Sequence, residues 1–156
     1  MFMFADSLRI IGRTSEAMIL FDKIQNVPEE KRWLVALYQG QLFEDLGQHK
    51  KAICLFEKSA AFNPESTVPW VYLGSIYARM ERFEDACRVF DKALKAEGDL
   101  DEVHLNLGYN FRALEDYENA KKHFEKAIEL DSDYDEAWEA LKDIQSAIRR
   151  LNDLTH

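Results

Sequence analysis

Four histidines, two cysteines and 29 carboxylates are the groups in this 156-residue chain from which catalysis or metal binding would have to be built. Their spacing argues against both. His49, His104, His123 and His156 are scattered, and no nucleophile recurs with a base at a workable interval. His104 reads as a half-buried packing residue, and His49 and His123, beside lysines, read as surface residues. The six glycines form neither a Gly-x-Gly-x-x-Gly run nor a Walker loop, so phosphate cradling is excluded. Asp131, Asp133 and Asp135 alternate like the start of a calcium loop, but the glycine and closing glutamate of that loop are missing. Other acidic pairs, Glu84-Asp85 and Glu115-Asp116, fall at turns and helix starts, where a carboxylate opposes the positive end of the helix dipole. Cys54 and Cys87 lie in separate apolar-periodic segments, neither with a second cysteine close by, and read as buried small hydrophobes. No catalytic residue, metal ligand or cofactor site is expected.

Composition narrows the partners. With 29 acidic residues against 20 basic ones the chain carries a net charge of −9, which opposes binding to nucleic acid or an anionic membrane. Residues 101 to 156 hold most of it, net −7 against −2 for the rest, so this half would steer a basic partner if it steers one. The apolar start, Met1 to Ala5, is broken by Asp6 and lacks a basic flank, so no signal or spanning segment is read and a cytoplasmic location is expected.

The elements that must position any site are helices throughout. Trp70, Leu73, Gly74 and Tyr77 form one helical stripe, and Phe83, Ala86, Phe90, Ala93 and Leu94 form a second, with a tight turn at Met80 to Arg82 between them. This hairpin recurs. Ala52, Ala86 and Ala120 are separated by one constant interval, and the same interval separates Gly40, Gly74 and Gly108, and again Phe56, Phe90 and Phe124. Residues 33–66, 67–100 and 101–134 are thus three full units. Phe4, Ala5, Leu8, Ala17 and Phe21 mark a degenerate first unit in residues 1–32, and Trp138 and Leu141 start a capping helix in residues 135–156 whose outer face carries Lys142, Asp143, Arg149 and Arg150. The small residues sit where two helices approach, and the phenylalanines fill the wedge between hairpins. The fold class expected is an all-α solenoid.

The pattern Trp70-x2-Leu73-Gly74-x2-Tyr77, then Ala86-x3-Phe90, resembles the tetratricopeptide repeat family in full. The terminal proline of that pattern survives only as Pro64; Gly98 and Ser132 replace it, and Gln39 stands where leucine is expected. The resemblance implies a right-handed superhelix and a non-catalytic protein-binding role. It also implies a site, because in the family the face of each first helix opposite the Trp70 stripe lines a concave groove. Carried over residue by residue, that groove holds Leu37, Tyr38 and Gln41, then Val71, Tyr72, Ser75 and Arg79, then Leu105, Asn106, Tyr109 and Arg112. Tyrosines offer flat contact area at low entropic cost, and the arginines suit a carboxylate or peptide carbonyls. The other reading of the tyrosines is packing against the next first helix.

Some family members clamp acidic chaperone tails with lysines and asparagines. Here the matching places carry Leu37, Gln41, Tyr72, Glu102 and Asn106, so only Asn106 is retained and Glu102 would repel such a tail. The expectation is a cytoplasmic adaptor holding a peptide or helix of a protein partner. The alternatives are a chaperone resembling those of bacterial type III secretion, similar in size, charge and architecture, and a homodimer assembled through the apolar residues Met1 to Phe4.

Overall fold

The computed structural model describes residues 2–24 and 27–154, and nine α-helices without a strand run through those residues. They are α1 (Phe2–Ile10), α2 (Thr14–Asp22), α3 (Arg32–Asp45), α4 (His49–Phe62), α5 (Thr67–Arg79), α6 (Phe83–Ala93), α7 (Leu100–Ala113), α8 (Tyr117–Leu130) and α9 (Asp135–Leu154), with a short 3-10 turn, Glu29–Lys31, before α3. Consecutive helices pair as hairpins, α1 with α2 through α7 with α8, and each hairpin packs on the next. The result is a solenoid.

The hairpins close on a glycine. A Cβ placed on Gly40, Gly74 or Gly108 would lie 2.4 to 2.6 Å from the ring of Phe56, Phe90 or Phe124 respectively, so the first helix can approach the second only where no side chain intervenes. The three rings are fully buried. Each also contributes beyond its own hairpin: Phe56 lies in one cluster with Leu73 and Ile76 of α5, and its ring centroid is 5.6 Å from that of Tyr72. Phe90 shares its cluster with Val103 and Leu107 of α7, and Phe124 with Ala137, Leu141 and Ile144 of α9. α9 closes the stack on one stripe while Lys142, Asp143, Arg149 and Arg150 stay exposed. Trp138 is half-exposed, and its indole N–H donates to the Ser132 carbonyl at 3.0 Å, as that of Trp70 does to Pro64.

The turn inside each hairpin is also periodic. Gly47, Glu81 and Glu115, one repeat apart, take left-handed backbone angles of 69°, 58° and 60°, and the following amide bonds back to Phe43, Tyr77 and Phe111 at 2.8 to 2.9 Å. Two glutamates therefore sit where glycine is favoured. In the first hairpin Ala5, Leu8, Ala17 and Phe21 are buried. Phe4, assigned from the sequence to that stripe, instead points to solvent, because among the described residues no helix packs on that side of the nine-residue α1. Met1 and His156 lie outside the described residues.

Phe90→Ala should lower unfolding free energy by about 3–5 kcal/mol, and Gly74→Ala should lower it by about 1–3 kcal/mol despite alanine's better helix propensity. Chemical denaturation checks both; a stabilised Gly74→Ala would mean the ring yields to the new methyl. Conversely, Glu81→Gly and Glu115→Gly should each stabilise by about 0.5–1 kcal/mol through relief of the left-handed backbone. Lowered melting temperatures in both variants would show that the glutamate side chains contribute more than the strain removes.

Candidate functional site

First helices α3, α5 and α7 present the groove residues, and packing claims four of the eleven. Leu37, Gln41, Val71 and Leu105 are 3%, 7%, 9% and 4% exposed. Leu37 packs with Phe56 and Leu73, Val71 with Phe90 and Val103, and Leu105 with Phe124 and Ala137. They form the floor beneath the face. Gln41 buries its amide oxygen without a hydrogen-bond partner, as does Asn110. Tyr38 is half-buried against the first hairpin's cluster. Tyr72, Ser75, Asn106 and Tyr109 are partly exposed, and Arg79 and Arg112 are exposed.

An open cavity of about 360 Å³ lies on this face, lined by Thr67, Val68, Val71, Tyr72, Ser75, Arg79, Asp99 and Glu102. The tyrosines are held by both packing and charge. Burial, chiefly, raises the Tyr72 hydroxyl pKa, with Arg9, Glu102, Asp6 and Glu44 within electrostatic reach. Tyr109 packs edge-on against Phe124 and donates its hydroxyl to Glu136 Oε1 at 3.0 Å. Burial and then this carboxylate push its pKa up to about 12. Asn106 donates to the Glu102 carbonyl at 2.9 Å, within its own helix.

The arginines, expected to suit a carboxylate or peptide carbonyls, already have partners within the chain. Arg79 pairs with Glu44 of the preceding first helix, and the Arg112 guanidinium stands 5.1 Å over the Tyr109 ring. A third groove cation, Arg9 of α1, was missed; it bridges Asp6 at 2.8 Å and Asp45 at 2.7 Å. The acids Asp6, Glu44, Asp45, Asp99 and Glu136 were also missed as members of this face. The available signal was the repeat itself, because Asp45 stands one repeat before Arg79 and so occupies the same register.

Two further expectations change. His123 is half-buried, not a surface residue: its Nδ1 lies 2.9 Å from Nδ1 of His104, and Phe111 stacks on its ring at 5.2 Å. Cys54 is exposed, because its side of α4 meets no neighbouring hairpin, whereas Cys87 is half-buried and burial pushes its thiol pKa up to about 11, keeping it protonated and unreactive. Among the described residues no three histidines, cysteines or carboxylates stand close enough to hold a metal ion, and no helix is long and apolar enough to cross a membrane.

Helical hairpins repeated at a fixed interval around a concave face define a helical-repeat protein of the kind that binds other proteins. Residues 67–133 match the family model described as tetratricopeptide repeat, and the fold of the chain is the solenoid that such repeats build. No curated protein sequence matches the chain. Among solved structures it is similar to the first repeat domain of Spaghetti (RPAP3) bound to HSP90 peptide SRMEEVD, with 25% identity, TM-score 0.71, and coverage of 77% of this chain and 95% of that one. The Sgt2 repeat domain from Aspergillus fumigatus gives 20% identity and TM-score 0.71, covering 84% and 86%. The MamA protein gives 18% and 0.75, covering 91% and 77%. The fold is accordingly an all-α, right-handed superhelical solenoid with a C-terminal capping helix.

The histidine pair generates a pH prediction. One Nδ1 must donate and the other accept, so protonating both rings breaks the contact. Burial first, then His123 and Lys126, lowers the His104 pKa to about 4, against an opposing pull from Glu129; burial and Lys122 lower that of His123, opposed by Asp91. A pKa depressed on folding contributes stability that is complete above the ordinary value near 6.5 and is lost as pH falls toward about 4. Thermal melts across that window should show a smaller loss for His104→Phe than for the parent chain; identical profiles would remove the pair as a source of acid sensitivity.

Proposed function

We propose that the protein is a non-catalytic cytosolic adaptor that holds a peptide or helical segment of a partner in its concave groove. The observation that carries this reading is the cavity beside Tyr72, where a half-exposed ring, Val68 and Ser75 form a rigid amphipathic wall on packed helices. The peptide held by the similar Spaghetti domain supports use of a tetratricopeptide groove for an extended segment. Its acidic sequence does not suit this chain, whose groove places Leu37, Gln41, Tyr72 and Glu102 where clamp residues would stand.

Capture from native lysate should recover a partner with the parent chain and lose it with Tyr72→Ala combined with Tyr109→Ala, while Lys142→Ala with Arg149→Ala on the outer face of α9 retains it. Capture that survives the groove variant and fails with the outer-face variant would move the binding surface to the cap.

A second reading, self-assembly, is favoured by one specific feature. Met3, Phe4, Ile10, Ile11 and Ile19 are all more than half exposed around the first hairpin, the end of the stack that no further helix covers among the described residues. Sedimentation of the parent chain against a Phe4→Ser, Ile11→Ser variant separates the two: a dimer lost in that variant supports self-assembly, and a monomer in both leaves the adaptor.

A further inference from the structure

The charge of the concave face says which segment the proposed groove takes. Its cations are already engaged, Arg9 by Asp6 and Asp45, Arg79 by Glu44, and Arg112 by the Tyr109 ring. The carboxylates at the α7 end are not. Among the described residues Asp99, Asp101, Glu102 and Glu136 have no ion pair, and the charges that act on Glu102 are the other three of this set. Desolvation first, and then this like-charge crowding, raises its pKa. A second, independent feature has the same polarity: Gln41, one repeat before Ser75 on the same face, buries an amide oxygen that no donor reaches. Glu136 has only the Tyr109 hydroxyl, while the side chains of Asp99, Asp101 and Glu102 and the Gln41 carbonyl lack hydrogen-bond donors.

Resting on the groove reading above, we propose that the occupant is a basic peptide segment, with a Lys or Arg side chain that lies along Val68 and Tyr72 and sets its charged head between Asp99 and Glu102. The cavity they share accommodates one long side chain. Its methylenes cover the apolar wall, its cation meets the tyrosine face, and its N–H groups donate to carboxylates that repel one another when the groove is empty. An acidic segment would meet the same four carboxylates and be rejected. A bare divalent ion is disfavoured, since no three of the described acids converge on one point.

The test is fluorescence anisotropy of the full chain with a short labelled peptide of alternating leucine and lysine, against the same peptide with glutamine or glutamate in place of lysine. The lysine peptide should bind and the glutamate peptide should not. Glu102→Gln with Asp99→Asn should weaken the lysine peptide about tenfold or more, the effect of losing a charge-assisted hydrogen bond. Those substitutions relieve repulsion, so an unchanged or raised melting temperature certifies the fold. Glu139→Gln with Asp143→Asn, which removes the same charge from α9, should leave affinity unchanged; equal weakening would reduce the binding to general attraction by the net charge and overturn the proposal. Heat released by calcium or magnesium chloride alone and abolished by Glu102→Gln would make the cluster a cation site, overturning it likewise. If the double tyrosine variant still loses its native partner while lysine and glutamate peptides bind alike, the groove stands and the basic occupant falls; if groove variants affect neither, both fall.

Discussion

Everything in this solenoid hangs on the contact between a backbone and a ring. Where Gly40, Gly74 and Gly108 leave no side chain, the first helix settles onto Phe56, Phe90 and Phe124 at a distance any Cβ would forbid. That contact sets the spacing within the hairpin and pushes the same ring toward the following helix, so the hairpin and its stacking on the next are fixed by one residue pair. Such coupling explains why no hairpin holds a core of its own. The clusters run from one hairpin into the next, and the last needs α9 to complete it.

The concave face is what remains of the first helices after packing has taken its share. Leu37, Val71 and Leu105 share one register and are all consumed by the contact with neighbouring helices, whereas Tyr72 and Tyr109 come one and four positions later and stay partly open. Tyr109 is held at both ends: its ring packs on Phe124 while its hydroxyl donates to Glu136 of α9. Packing and binding are not alternatives at such a position. A ring immobilised by the core on one side presents a preorganised surface on the other, which lowers the entropic cost of holding a ligand.

The sequence made the fold legible because the signal is repeated three times with the same residue types at the same offsets, so Ala52, Ala86 and Ala120 corroborate one another. The groove was legible only as a set of positions. Whether Gln41 is open or Arg79 unpaired depends on contacts between units, and those are not periodic: Glu44 faces Arg79, but the equivalent positions one repeat later are Ala78 and Ala113, and Arg112, one position away, turns to the Tyr109 ring. The histidine pair was hidden for a similar reason. His104 and His123 each looked ordinary in its own helix, and only the α7–α8 hairpin brings their rings within 2.9 Å.

The same aperiodicity gives the groove a direction. At the α1 to α5 end each carboxylate that faces inward has found an arginine, as Asp6, Asp45 and Glu44 have done, and the pairs neutralise the face while bracing successive first helices. At the α7 to α9 end the acids continue, with Asp101, Glu102 and Glu136, but the arginines stop, for Arg112 is committed to a ring. Unpaired like charges are a standing cost to the folded state. A stack that braces its first repeats with ion pairs and leaves its last ones repelling each other therefore has its unmet electrostatic demand concentrated where the cap meets the groove, so a cation bound there relieves strain in the protein as well as gaining contacts of its own.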